Sequence, residues 1–216
     1  MLRRKPHPSA VLAQMPSTVS PMLPTLARKP FSGQDWLFEP KLDGWRALCF
    51  TRDDKVHFIS RKGNSLDERF QELLVIAESI KATTAIIHGE VVALDDRGIP
   101  CFDALRFRRP HCAVLFYAFD LVYLDGFDLT QCPLTARKKA LRRILPKRNT
   151  GRIRYTDHVE RLGERLFAAV DQLKLEGIVA KRKGSVYSSA RSFEWLKIKT
   201  AAGKEEMAKR AEAWER

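Results

Sequence analysis

The sequence predicts an α+β fold in which antiparallel sheets are flanked by helices. Segments with strand composition outnumber the helical patterns, and several follow one another through short turns, such as the polar turn at residues 52–54. A doubly wound parallel fold would separate successive strands by helices, so this arrangement favours antiparallel sheets. With 216 residues, 44% of them hydrophobic, the chain can bury one good-sized core.

Apolar residues, in alternation or in short runs, predict the strands. These cover residues 45–51, 55–60, 84–94, 112–119, 152–156, 178–181 and 195–199. Ser65 and Glu68 have the spacing of a capping box, and apolar residues at helical spacing follow from Phe70 to Ile80, which predicts a helix there. Further helices are expected at residues 135–145 and 162–173.

The two ends of the chain have distinct compositions. The first acidic residue is Asp35, and five basic residues and several prolines precede it. We therefore expect residues 1–20 to form a flexible basic arm. At the other end, residues 201–216 carry apolar residues and oppositely charged pairs at helical spacing, which predicts a C-terminal helix.

The overall charge indicates a polyanionic partner. The chain has 39 Lys and Arg residues against 26 Asp and Glu residues, a formal charge of +13 and a pI near 9.9. Helix 135–145 is especially basic, and it either contacts a DNA backbone or forms a solvated face. The four cysteines form no Cys-x-x-Cys pair, and no apolar stretch is long enough to span a bilayer. We therefore expect a cytoplasmic protein that binds no membrane.

The segment Phe-Glu-Pro-Lys-Leu-Asp-Gly-Trp-Arg at residues 38–46 reads as a covalent nucleotide-binding loop around Lys41. A lysine has an unperturbed pKa of about 10.4, so a nucleophilic lysine needs cationic neighbours or desolvation. Lys197 and Lys199 alternate with apolar residues, as on a half-buried strand, and therefore share one side. If that side is the active site, they neutralise phosphate oxygens and disfavour a charge on Lys41; otherwise they form a solvated strand face.

Five more elements follow this loop in order: Ser-Arg-Lys-Gly at residues 60–63, Gly-Glu at 89–90, Phe-Asp at 119–120, Glu-Gly-Ile-Val-Ala-Lys at 176–181 and Trp-Leu-Lys-Ile-Lys at 195–199. With these motifs the sequence resembles the nucleotidyltransferase domain of ATP-dependent DNA ligases, most closely the bacterial end-joining C and D types. The resemblance runs over residues 21–200. It implies an ATP-grasp-like nucleotidyltransferase fold and a lysyl-AMP intermediate on Lys41.

The resemblance also assigns roles to single residues. It implies that Asp43 shapes the catalytic loop and that the ring of Phe119 stacks on adenine, whereas the sequence around Phe119 by itself favours a core residue. The residues implied to contact the nucleotide are Glu39, Arg46, Arg61, Lys181, Lys197 and Lys199. Two of these, Arg46 and Arg61, match arginines that serve the nucleotide and the 5′-phosphate of the nick, for which the guanidinium fork is suited.

Two carboxylates complete the expected site. The resemblance implies that Glu176 handles a divalent metal and that Glu90 holds the ribose, with Glu90 a second candidate for the metal. Glu90 interrupts an apolar run, so its carboxylate needs a partner or a ligand. The chain departs from the family pattern at His88, where an aspartate is usual.

The expected function is therefore that of an ATP-dependent DNA ligase that uses ATP and magnesium or manganese and seals nicked double-stranded DNA. Partner proteins of end joining or repair are expected to supply missing functions. Only 17 residues follow Lys199, too few for an oligonucleotide-binding barrel, so we expect no such domain and slow self-adenylation from free ATP. An RNA ligase, an mRNA-capping guanylyltransferase and a nick-binding module without turnover are the alternatives.

Overall fold

Two units make up the computed structural model, which describes residues 5–109 and 112–214, with only the backbone described from residue 210 on. The first unit combines Met1–Met22, Gly44–Thr156 and Gly184–Ala190. The second combines Leu23–Asp43, Asp157–Lys183 and Arg191–Arg216. The part of the chain that the sequence predicted as one catalytic domain thus contributes to both units.

The first unit contains a sheet that, among the described residues, has seven strands, with the order β1-β8-β7-β6-β4-β5 and with β9 paired to β7. All of its pairs are antiparallel except β7 with β9. The strands are β1 (Val11–Leu12), β4 (Trp45–Arg52), β5 (Lys55–Ser60), β6 (Thr84–Leu94), β7 (Ala113–Leu124), β8 (Phe127–Asp128) and β9 (Ile153–Tyr155). Strand β6 lies between β4 and β7, which explains its continuous apolar run.

Short helices cover this sheet. They are α1 (Phe102–Arg106), α2 (Leu134–Ile144) and a 3₁₀ helix at Gln71–Ser79. The α-helix predicted after Ser65 is wrong in type, because the segment forms a 3₁₀ helix. The hydroxyl of Ser65 accepts a hydrogen bond from the N–H of Asp67, as in a local turn. Apolar side chains of this segment, including Leu73 and Ile76, are still buried in the core of the unit.

The second unit contains a smaller sheet with the order β10-β3-β11-β12-β2, counted over the described residues. Its strands are β2 (Leu23–Leu26), β3 (Gly33–Pro40), β10 (Val159–Arg161), β11 (Gly177–Arg182) and β12 (Arg191–Lys199), and only β12 with β2 is parallel. Helix α3 (Gly163–Gln172) contributes Val170 to a core with Phe38, Ile178 and Ile198. Helix α4 (Ala201–Trp214) follows β12, as the sequence predicted.

The α+β class and the antiparallel sheets are thus confirmed. The predicted turn at residues 52–54 joins β4 to β5, and Asp53 and Asp54 have the positive φ angles, 49° and 58°, that a two-residue hairpin turn requires. The expectation of a flexible arm over residues 1–20 needs correction, because Ala10 is buried and β1 pairs with β8; residues 1–4 lie outside the described part.

Within the described residues, no helix has both the length and the apolar composition that a membrane span requires.

Candidate active site

Lys41 follows directly after β3 in the second unit. Its backbone N–H donates to the carbonyl of Gly177 at 2.8 Å, where β11 begins. Its Nζ lies 2.5 Å from Oε2 of Glu176, and 19% of the lysine side chain is exposed. The expected nucleophile is therefore held at the end of a strand with its amine against a carboxylate.

Glu176 bridges two lysines. It lies between α3 and β11, the element end that the sequence predicted, and its side chain is 9% exposed. While Oε2 contacts Lys41, Oε1 lies 3.1 Å from Nζ of Lys199. These two contacts compensate the cost of burying a carboxylate.

Lys197 adds a third ammonium group to this region. Burial lowers its pKa from the ordinary lysine value, and the positive charges of Lys41 and Lys199 lower it further. Lys197 and Lys199 thus lie near Lys41, which is one of the two arrangements that the sequence allowed. We call Lys41, Glu176, Lys197 and Lys199 the lysine cluster, in which three ammonium groups face one carboxylate.

Glu39 and Lys181 form a separate ion pair in the same unit. Their charged atoms are 2.6 Å apart, and the side chains are 3% and 2% exposed. The ammonium of Lys181 also lies 4.2 Å from the ring centroid of Trp195, its cross-strand neighbour on β12. The sequence assigned both residues to nucleotide contacts, whereas the structure pairs them with each other in the interior of the unit. Asp43, at the end of the catalytic loop, is partly exposed.

Arg46 and Glu90 form the centre of a second group, in the first unit. They are cross-strand neighbours on β4 and β6, and Nε of Arg46 donates to Oε2 of Glu90 at 2.8 Å. This contact supplies the partner that the carboxylate needed in an apolar strand. Gly44 lies two residues before Arg46. A Cβ at this position would lie 2.1 Å from the carbonyl oxygen of Val91, so the backbone approaches β6 too closely for any side chain.

Phe119 belongs to the same group. Its side chain is buried, the guanidinium carbon of Arg46 lies 5.0 Å from its ring centroid, and the ring of His88 lies 4.6 Å away at 58°. Adenine stacking by Phe119 stays a prediction. The ring is nevertheless part of a polar and aromatic cluster rather than of a purely apolar core.

Arg61 lies in the loop after β5, in which Gly63 has a φ angle of 85°. This loop lines a cavity of about 640 Å³ in the first unit. Ser17, Thr18 and Ser20 line the same cavity. A guanidinium and several hydroxyl groups can bind phosphate oxygens, and the assignment of Arg61 to the nucleotide and to a nick phosphate stays a prediction.

The structure corrects one expectation about basic residues. The sequence placed Arg137 and Lys138 on a helix face that could contact DNA, but Arg137 is 0% and Lys138 2% exposed. Arg137 forms a two-pronged ion pair with Asp120, and Nζ of Lys138 donates to the carbonyl oxygens of Phe119 and Thr156. The exposed basic residues of this segment are Lys139, Arg143, Lys147 and Arg148.

Sequence reasoning missed Tyr187. This residue lies in the segment Gly184–Ala190, and its hydroxyl contacts His88 and the backbone of Met22. No pattern around Tyr187 marks it, because its partners are 99 and 165 residues away along the chain.

The sequence proposed two carboxylates for the metal, Glu176 in the second unit and Glu90 in the first. Among the described residues there is no cluster of three or more His, Cys, Asp or Glu side chains with metal-ligand geometry. Magnesium in nucleotide-binding enzymes is commonly held by one or two carboxylates together with substrate phosphates. Glu176, a buried carboxylate beside the expected nucleophile, fits that kind of ligand set. Glu90 is engaged by Arg46.

A lysine held against a carboxylate, two more lysines on β12 and an antiparallel α+β scaffold agree with the class that the sequence resembles, the covalent nucleotidyltransferases. The comparison with protein families specifies this class. The family described as "ATP dependent DNA ligase domain" matches residues 12–199. The chain therefore belongs to the ATP-dependent DNA ligase domain family.

Comparisons with individual relatives support this family membership. The chain is 34% identical over 188 residues to the multifunctional non-homologous end joining protein LigD of Pseudomonas aeruginosa, a match that covers 86% of this chain but only 22% of that protein. It is 30% identical over 185 residues to the SPbeta prophage-derived DNA ligase-like protein LigB of Bacillus subtilis, covering 83% of this chain and 67% of the relative. Among solved structures, mycobacterial DNA ligase D complexed with ATP and MES matches with a TM-score of 0.75 and 30% identity, over 84% of this chain and 60% of that one.

Proposed function

We propose that this chain carries the adenylation and nick-sealing chemistry of an ATP-dependent DNA ligase. Nζ of Lys41 attacks the α-phosphate of ATP, a phosphoramidate bond to AMP forms, and pyrophosphate leaves. The AMP is then transferred to the 5′-phosphate of a nick, which frees Lys41. In the last step the 3′-hydroxyl attacks that activated phosphate, the two strands are joined, and AMP is released.

The observation that supports this proposal most strongly is the contact between Lys41 and Glu176, at 2.5 Å, with Lys199 on the other carboxylate oxygen. In this proposal the charged groups around Lys41 serve to bind a triphosphate. Phosphoryl transfer depends mainly on positioning and on neutralising phosphate charge, and Lys197 and Lys199 provide positive charge beside the nucleophile.

Magnesium or manganese is part of this proposal. The metal would add positive charge on the phosphates, and Glu176 is the carboxylate of this chain that would hold it together with the phosphate oxygens. Before attack, the ammonium of Lys41 gives a proton to solvent water, and its contact with Glu176 is broken. A role in DNA end joining is proposed with it, because the relatives named LigD are described as end-joining proteins.

The first experiment identifies the adduct. The purified chain is incubated with labelled ATP, GTP or NAD and magnesium, and a covalent product is sought under denaturing conditions. We expect labelling by ATP alone. Labelling by GTP would instead identify a capping-type guanylyltransferase, and DNA binding without any label would identify a binding module.

The second experiment separates the steps. Sealing of a nicked DNA duplex with ATP is compared with sealing of a nick that already carries AMP, with nicked RNA as the competing substrate. We expect sealing of the pre-adenylated DNA nick to be the faster reaction and RNA to be a poor substrate. Because the net charge is strongly positive, both reactions should slow steeply as salt increases.

A further inference from the structure

The first turn of helix α4 lies directly against the backbone that carries Glu176. A Cβ on Gly203 would lie 2.1 Å from the carbonyl oxygen of Glu176 and 3.0 Å from its Cα atom. The helix therefore approaches this residue so closely that only glycine fits at position 203. Gly203 is buried, and both residues belong to the second unit, so the contact is part of the packing within that unit.

Thr200 joins the same two segments by hydrogen bonds, and the residue is only 1% exposed. Its hydroxyl donates to the carbonyl oxygen of Leu175 at 2.6 Å and accepts the backbone N–H of Gly203 at 3.1 Å. Its own backbone N–H donates to the carbonyl oxygen of Glu176 at 3.2 Å. Thr200 thus acts as the N-cap of α4 and at the same time ties the start of the helix to the backbone around Glu176.

Lys199 connects this contact to the lysine cluster. Its Nζ lies 3.1 Å from Oε1 of Glu176 and donates to the carbonyl oxygen of Gly203 at 3.4 Å. The residue after Glu176, Gly177, accepts the backbone N–H of Lys41 at 2.8 Å. A displacement of the first turn of α4 would therefore move the carboxylate of Glu176 and the backbone beside Lys41.

Helix stability alone does not explain Gly203. A capping threonine is expected at the start of any helix, but glycine disfavours helix formation, and alanine would suit the first turn of α4 better. The close approach to Glu176 accounts for the glycine, because an alanine methyl group would push the helix and the Glu176 backbone apart.

We propose that Thr200 and Gly203 are positioning residues that hold Glu176 between Lys41 and Lys199 for the adenylation step. This proposal rests on the function proposed above. Both residues act through Glu176 and take no part in the bond changes at Lys41. Helix α4 is, in this proposal, a part of the adenylation machinery.

The first test compares two substitutions within α4. Gly203→Ala favours the helix but displaces it from Glu176, whereas Ala208→Gly, at an exposed position, weakens the helix and leaves that contact intact. We expect Gly203→Ala to slow adenylation about 10- to 10²-fold, with kcat falling more than the KM for ATP rises, because Glu176 is misplaced. Ala208→Gly should react at the parental rate. Single-turnover and steady-state labelling with ATP measure these values, and melting temperatures serve as the control for folding.

The second test uses the hydroxyl of Thr200. Thr200→Val keeps the shape of the side chain and loses both hydrogen bonds of the hydroxyl, whereas Thr200→Ser keeps them. Thr200→Val should slow adenylation about tenfold, and Thr200→Ser should restore most of the rate.

Hydrogen exchange measures the same contacts without ATP or metal. The backbone amide of Thr200, which donates to Glu176, should exchange about tenfold faster in Gly203→Ala and at the parental rate in Ala208→Gly. The amide of Gly203 should exchange faster in Thr200→Val than in Thr200→Ser.

A parental adenylation rate in Gly203→Ala, or equal slowing in Ala208→Gly, would overturn the role of Gly203. Equal rates for the valine and serine variants would overturn the role of Thr200. If the parent chain forms no AMP adduct, the proposed function fails; faster exchange at Thr200 in Gly203→Ala alone would still support the hold on Glu176, and unchanged exchange would overturn it.

Discussion

The lysine cluster of the second unit and the Arg137–Asp120 pair of the first unit use charge in opposite ways. Arg137 and Asp120 are both 0% exposed, and the guanidinium meets the carboxylate through two hydrogen bonds of 2.9 Å. Its Nη1 also donates to the carbonyl oxygens of Cys132 and Ser185. One positive and one negative charge balance each other, with every nitrogen of the guanidinium engaged.

The lysine cluster is unbalanced and open. Three ammonium groups face one carboxylate, and the side chains of Lys41 and Lys199 retain 19% and 10% exposure. A protein gains no stability from such an excess of like charge, and we propose that a ligand with negative charge balances it. Balanced buried pairs support the fold, whereas the role that we propose for the unbalanced cluster is a chemical one.

The ion pair of Glu39 and Lys181 shows that balanced and unbalanced charges occur in the same unit. It lies in the same unit as the lysine cluster, yet its two charges match and both are buried. The pair is therefore balanced like Arg137 and Asp120, and the assignment of both residues to the nucleotide stays a prediction.

The largest expected effect tests the balanced pair. Arg137→Met should lower the free energy of unfolding by about 3–5 kcal/mol, because it leaves the carboxylate of Asp120 buried without its charged partner. Denaturant titration measures this decrease. Adding Asp120→Leu to the same chain should recover much of it; a double variant as unstable as the single one would contradict the account.

The next effect concerns the cluster. Glu176→Gln should slow adenylation about 10²- to 10³-fold, because the carboxylate proposed to hold the divalent metal is lost while the shape of the side chain is kept. Single-turnover labelling with ATP measures the rate. The melting temperature should change by only a few degrees, and an unchanged rate would remove Glu176 from the reaction.

Replacing Lys197 should have a smaller effect, which lowers activity without lowering stability. Lys197→Met should slow adenylation about tenfold, because positive charge on the phosphates is removed. Because the folded-state pKa of Lys197 lies below its ordinary value, its charged form is disfavoured in the fold, and the variant should be at least as stable as the parent at pH 7.

The pH dependence of that difference follows from the same shift. As pH rises through the lowered pKa towards the ordinary value, the unfolded chain binds more protons at Lys197 than the folded one, so the parent gains stability. The advantage of the variant should therefore shrink towards high pH in denaturant titrations. An advantage that grows with pH would show that the pKa is shifted the other way.

The smallest effect concerns the surface. Replacing Lys139 and Arg143 on α2 by alanine should make DNA binding less sensitive to salt. The slope of log binding constant against log salt concentration should fall by about one for each phosphate contact that is lost. Titrations of labelled nicked DNA at several salt concentrations measure the slope. An unchanged slope would place α2 outside the DNA footprint and leave its exposed residues as a solvated face.

The sequence predicted the lysine cluster well because its members come from ordered motifs on adjacent strands. Lys41 follows one strand, Glu176 precedes the next, and Lys197 and Lys199 share the third, so strand pairing alone brings them together. The same motifs could not show that Glu176 contacts two lysines at once.

Other features depended on contacts that no local pattern records. The basic run of α2 predicted a solvated face, yet Arg137 and Lys138 are buried because Asp120 and two backbone carbonyl groups, distant in the chain, supply their partners. Tyr187 reaches His88 across 99 residues. The division of the predicted catalytic domain between two units likewise arises from long-range packing.

The central claim is that Lys41 is the residue that becomes covalently bound to AMP. Intact-mass spectrometry of the parent chain and of Lys41→Ala, each incubated with ATP and magnesium and then denatured, tests it directly, with circular dichroism to confirm that the variant folds. The account predicts one AMP on the parent and none on the variant. One AMP on Lys41→Ala, or none on the folded parent, would contradict it.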